Sequence, residues 1–177
     1  HHIIAEEGSR KDTSSEYLWY VDPLDATNNY AHGIPFFCIS IGVYSRSSKS
    51  VVAGAVYDPC HDEMFSAVKN CGAFCNDDPL KTSDIQEMGV ALLATGFPYN
   101  KDDMMRNNLN EFNRSRPRVQ CIRRIGSAAL DLCYLAAGRL DGYWEPLLKP
   151  WDTAAGSLIV SEAGGKVTKY NGDTFDP

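Results

Sequence analysis

Asp22 and Asp25 stand three positions apart in Val21-Asp22-Pro23-Leu24-Asp25-Ala26-Thr27-Asn28-Asn29, directly after the apolar run Tyr17-Leu18-Trp19-Tyr20-Val21. Pro23 fixes its own φ, so the two carboxylates can converge instead of splaying, with the Leu24 carbonyl between them as a third oxygen. Carboxylates, carbonyls and waters are the ligands that a hard cation such as Mg²⁺ takes. The spacing D-P-x-D is also that of an Asx turn with solvated carboxylates, and alone it leaves both readings open. Glu6-Glu7 ends the strand-like segment His2-Ile3-Ile4-Ala5. It is either surface charge or a source of one carboxylate on the side of Asp22. Asp152, in Lys149-Pro150-Trp151-Asp152-Thr153-Ala154-Ala155-Gly156, falls at the start of a helix of small residues. There it either caps the helix, an effect of about 0.5–2 kcal/mol, or enters a cleft that the small residues leave open.

The elements that must position these groups follow from periodicity and punctuation. Residues 17–21 form a β-branched and aromatic strand that Asp22-Pro23 is expected to stop. Strands are expected over 36–44 and 51–57 with a hairpin loop at 45–50, then over 64–68 and 72–75, followed by a turn at 76–79. Short connections imply antiparallel pairing. Further on, strands are expected at 91–97, 119–123, 142–145 and 166–169, a polar helix over 102–115 and a turn at 170–173. The helix at 127–137 starts with Ser127 and is followed by Gly138, the expected cap residues. A second helix covers 151–163. Strands with helices set among them make an α/β (α+β) layered protein. Residues 1–177 read as a single domain with two lobes, an antiparallel-sheet lobe over about 1–100 and an α/β lobe over about 101–177.

Composition limits the function. The 177 residues carry 17 Lys+Arg against 23 Asp+Glu, a net charge of −6, with 44% hydrophobic and 23% charged residues. Those proportions exclude disorder and collagen-like repeats, and the acidic balance argues against a nucleic-acid binder. No run reaches the roughly 18 apolar residues of a membrane helix, and no secretory leader is visible, so a cytoplasmic address and no membrane partner are expected. The six cysteines are expected to be reduced, mostly buried thiols rather than disulfides or metal ligands. The chain opens on His1-His2 without Met.

Residues 19–43 (WYVDPLDATNNYAHGIPFFCISIGV) and 151–165 (WDTAAGSLIVSEAGG) resemble the two signatures of the inositol monophosphatase family, D-P-[IL]-D-G-T-x-N-[FY] and W-D-x-A-A-G…E-A-G-G. The blocks at 124–132 and 138–145 look like bacterial members, and the resemblance covers essentially the whole chain. It implies an αβαβα sandwich and two or three Mg²⁺ ions that activate water against a phosphate monoester. It also implies Li⁺ sensitivity and a homodimer. The substrate class is a small phosphorylated polyol or sugar, inositol 1-phosphate first. Fructose 1,6-bisphosphate and 3′-phosphoadenosine 5′-phosphate are the alternatives, and a catalytically weakened interaction protein is a further one.

Carried over by position, the metal ligands are Glu6, Asp22, the Leu24 carbonyl, Asp25 and Asp152. Thr27, with Glu6, positions the attacking water, and the amides of Ala26 and Thr27 hold the phosphate. Ser127, Ala128 and Glu145 lie toward the polyol, with Asp152 also near the substrate. Two residues depart from the pattern: Ala26 stands where the family has Gly, at a cost if φ is positive there, and Asn28 stands where Thr is common. The family's N-terminal helices, and a strand and helix after the second signature, have no counterpart here, so the chain reads as incomplete at both ends.

Overall fold

The structure, a computed structural model, describes residues 2–8, 10, 11, 14–98 and 107–177. An eight-stranded sheet runs in the order β2(Arg10–Lys11), β1(His2–Ala5), β3(Tyr17–Asp25), β4(Cys38–Ser45), β5(Ser50–Asp58), β6(Glu63–Val68), β7(Ala73–Cys75), β8(Asp78–Pro79). Every pairing in it is antiparallel except β1 with β3, which is parallel. A second sheet of three parallel strands has β9(Leu92–Thr95) between β10(Cys121–Arg123) and β11(Gly142–Trp144). The helices are the short α1(Thr27–Ala31), α2(Leu109–Ser115), α3(Ala128–Ala136) and α4(Pro150–Glu162). The result is the mixed, layered α+β architecture expected.

Helix α4 lies on β4 and β5 and against α3. It can do so because Gly42 and Gly54, paired across the two strands, leave room for it. A Cβ on Gly42 would stand 2.6 Å from Ala154 Cβ, and one on Gly54 would stand 2.9 Å from Ala155 Cα. On its other side Gly156 meets Leu132 just as closely. Val56, Phe65, Leu130, Ile159 and Val160, all fully buried, form the centre of the core.

Several elements differ from expectation. Strand β3 does not stop at Asp22 but runs to Asp25, with a register shift against β4 between those two residues. Pro23 is tolerated because β1 ends at Ala5, opposite Val21, so no ladder on that side needs its missing N–H. Residues 166–169 form no strand; Thr168 makes a single bridge to Thr174 across the expected turn at 170–173. Asp78–Pro79, expected to be turn, adds the edge strand β8. Of the helix expected over 102–115, residues 102–106 lie outside the described residues, and α2 occupies Leu109–Ser115. All six cysteines are free, but only Cys38 and Cys133 are buried, while Cys60 and Cys71 are exposed. Turn positions 60 and 71 have no core to enter.

Candidate active site

The register shift in β3 builds the site. Along β3 the buried positions are Leu18, Tyr20 and Asp22, the two-residue period of a strand. An unbroken strand would turn Asp25 to the opposite face. The irregularity between Asp22 and Asp25 reverses the parity and brings both carboxylates to the buried side. The chain then enters α1 through Ala26, whose backbone is left-handed at φ 74°, ψ 48°. The condition under which Ala costs more than Gly is therefore met.

Asp22, Leu24, Asp25, Ala26 and Thr27 line one pocket of about 510 Å³ together with Glu6, Ala128, Glu145 and Asp152. Parallel pairing of β1 beside β3 delivers Glu6, whose amide donates to the Val21 carbonyl at 3.2 Å. Glu7 does not line the pocket. Ser127, expected near the substrate, does not line it either; the residue is fully buried, behind Asp25. Its Oγ donates to Asp25 Oδ2 at 2.5 Å and accepts from the Leu130 amide at 3.2 Å as the cap of α3. The same Oδ2 accepts from the Ala129 amide at 2.9 Å. Asp22 Oδ1 accepts from the Leu24 amide at 3.0 Å, and Thr27 Oγ1 donates to the Leu24 carbonyl at 3.2 Å. Asp152 serves both of its sequence readings at once. Its Oδ2 accepts from the Lys149 amide at 2.7 Å, capping α4, while the residue lines the pocket. Glu145 accepts from the Tyr143 hydroxyl at 2.5 Å. It lies so close to Gly96 that any side chain there would collide with its carboxyl.

The electrostatics are those of an uncompensated acidic cluster. Burial, then the neighbouring Asp25, pushes the Asp22 carboxyl up to about 8. Burial raises Asp25 as well, against its hydrogen bonds from Ser127 and Ala129. Asp152 rises to about 6, again through burial, with the Lys149 amide opposing, and burial raises Glu145. Like charges held in a desolvated pocket favour either protonation or a bound cation. The donors are all hard oxygens, the set suited to Mg²⁺. No three carboxylate, thiol or imidazole groups among the described residues close on one point. An ion in this pocket would take its carboxylate oxygens from at most two of Asp22, Asp25 and Asp152 and complete its shell with waters and the Leu24 carbonyl, as Mg²⁺ usually does.

Sequence reasoning missed part of the lining. Gly96, Phe97, Arg124, Leu147, Leu148 and Lys149 all face the pocket, with the Arg124 guanidinium 5.1 Å from the centre of the Phe97 ring. Arg124 sits in a block that carried a resemblance but no assigned role. Phe97 and Leu147 gave no signal, because an apolar residue in a site looks like core.

The family is now decided: a model of the inositol monophosphatase family matches residues 1–177. The chain belongs to the inositol monophosphatase family. It is 43% identical to the inositol-1-monophosphatase of Synechocystis, over 99% of this chain and 61% of that protein. It is 44% identical to the Nus factor SuhB of Pasteurella multocida, over 97% of this chain and 64% of that protein. Against the structure of inositol monophosphatase from Anabaena (Nostoc) the TM-score is 0.94 at 46% identity, covering 99% of this chain and 69% of that one. The chain spans less than two thirds of the length of those two curated relatives. Among the described residues no helix is long and apolar enough to cross a membrane.

Proposed function

We propose that this chain forms the catalytic part of a Mg²⁺-dependent phosphate monoester hydrolase, with inositol 1-phosphate as its first substrate. The supporting observation is the parity reversal in β3, which sets Asp22 and Asp25 on one buried face beside Asp152. A packed core has no physical use for mutually repelling carboxylates. Asp22, Asp25, Asp152, the Leu24 carbonyl and Glu6 would share two or three Mg²⁺ ions among them, no ion drawing on more than two of the carboxylates in this arrangement. When bound, the metal neutralises phosphate charge and lowers the pKa of water. The residues do the rest. Thr27 Oγ and Glu6 orient the water, the Ala26 and Thr27 amides receive phosphate oxygens, and Ala128 and Glu145 meet the alcohol. Ser127 fixes Asp25 and so acts by positioning.

The test is phosphate release from inositol 1-phosphate, fructose 1,6-bisphosphate and 3′-phosphoadenosine 5′-phosphate, with and without Mg²⁺. Mg²⁺-dependent turnover that disappears in Asp22→Asn and Asp152→Asn supports the proposal; turnover retained in either variant refutes the metal assignment. Li⁺ inhibition, a homodimer and a cytoplasmic address accompany it as expectations. The second reading, an interaction protein with weakened catalysis, draws on Ala26 at the phosphate loop and on the Nus factor name of one relative. Mg²⁺-stimulated hydrolysis by the intact protein would dismiss it.

A further inference from the structure

Among the described residues, seven that are not glycine have positive φ. Four of them, Asp62, Asn70, Asn76 and Asn108, are Asn or Asp, the types most tolerant of that backbone, and Lys49 lies between β4 and β5. The other two are apolar: Ala26 at φ 74° and Leu147 at φ 64°. Both line the candidate pocket. Backbone strain of this kind persists where the surroundings impose it and collects at functional sites. Ala26 is buried and part of the phosphate loop. Leu147 is 45% exposed, so core packing does not account for a leucine at a position that glycine would occupy without strain. Phe97, Pro98, Leu148 and Trp151 line the same pocket.

Building on the monoesterase reading, we propose that Leu147 determines specificity. With Phe97, Pro98 and Leu148, which line the same pocket, it gives the alcohol part of the ester an apolar side, so that esters of alcohols with an aromatic or alkyl face are turned over better, relative to inositol 1-phosphate, than they would be without the Leu147 side chain. A hydroxyl pressed on this side loses water and gains no partner, whereas an apolar face gains by leaving water. Glu145, Arg124 and Asn28, which share the pocket, serve hydroxylated alcohols and set the other side of the balance.

The experiment reads one ratio, kcat/KM for phenyl phosphate over kcat/KM for inositol 1-phosphate, in the intact protein with Mg²⁺. Leu147→Gly and Leu147→Asn accept the positive φ, and melting temperatures at or above the parent's confirm that both fold. The ratio is expected to fall about tenfold in each, the scale of a lost apolar contact in a specificity pocket, and to hold in Leu147→Met. An unmoved or increased ratio in an active enzyme overturns the role of Leu147 and leaves the monoesterase reading standing. A parent protein that hydrolyses neither ester overturns both.

Discussion

Asp131 offers a direct measure of the electrostatic cost stored near the site. It lies in the first turn of α3, only 1% exposed, and its Oδ1 has no hydrogen-bond partner among the described residues. Burial, then Glu145 and Asp25, pushes its carboxyl from the ordinary 3.8 up to about 8. The folded state therefore prefers the protonated acid. Its contribution to stability is complete below the unfolded value near pH 4 and is lost as pH rises toward about 8. At about 1.4 kcal/mol per pH unit across that interval, the cost of Asp131 grows by roughly 3–4 kcal/mol between pH 5 and pH 8. That is a large part of the roughly 5–15 kcal/mol of a typical domain. Asp131→Asn removes the titration. Any unmet hydrogen bond of the carboxamide costs the same at both pH values, so it drops out of the difference. Urea unfolding of both proteins at fixed ionic strength, in EDTA, should show the variant gaining on the parent by about 3 kcal/mol from pH 5 to pH 8. A gap that is equal at the two pH values, or that narrows as pH rises, refutes the assignment of Asp131 as a buried acid.

Three further outcomes follow from the same geometry. Ser127→Ala removes the cap of α3 and one hydrogen bond to Asp25, so denaturant midpoints should report a loss of about 2–3 kcal/mol. Gly96→Ala drives a methyl into the Glu145 carboxyl; kcat/KM for inositol 1-phosphate should fall on the order of a hundredfold through misplacement, with circular dichroism showing the fold intact. Ala26→Gly relieves about 1 kcal/mol of left-handed strain, partly offset by the freer unfolded chain. It should raise the melting temperature slightly and keep or increase turnover. A clear loss of turnover would show that the Ala26 methyl serves the site.

Much of the candidate site was legible because its residues stand in short blocks. Asp22, Leu24, Asp25 and Thr27 fall within one turn of chain, and Asp152 announces itself beside a run of small residues. What the sequence concealed was the means of convergence. Alternation along Tyr17–Asp25 places Asp22 and Asp25 on opposite faces; only the shift against β4 reverses that, and Pro23 alone does not say whether the strand ends there or continues through an irregularity. Asp22-Pro23 looked like a strand end because the sequence does not reveal that β1 stops one residue earlier. The helix caps Ser127 and Asp152 were readable from local chemistry. That Ser127 points at Asp25 depends on packing between elements about a hundred residues apart. The short strand expected at 166–169 had adequate β propensity, but propensity forms no ladder without a neighbour.

Helix α4 both closes the core, with Ile159 and Val160 fully buried, and carries Asp152 into the pocket. Gly42 and Gly54 leave it no clearance in which to shift. Lifting α4 from the sheet would therefore expose core residues and displace Asp152 from the pocket together. Amides along 154–160 should then exchange with solvent only through the largest openings of the molecule. Asp152 is thus tied to the core through one helix, while the exposed Leu147 side of the same pocket is not.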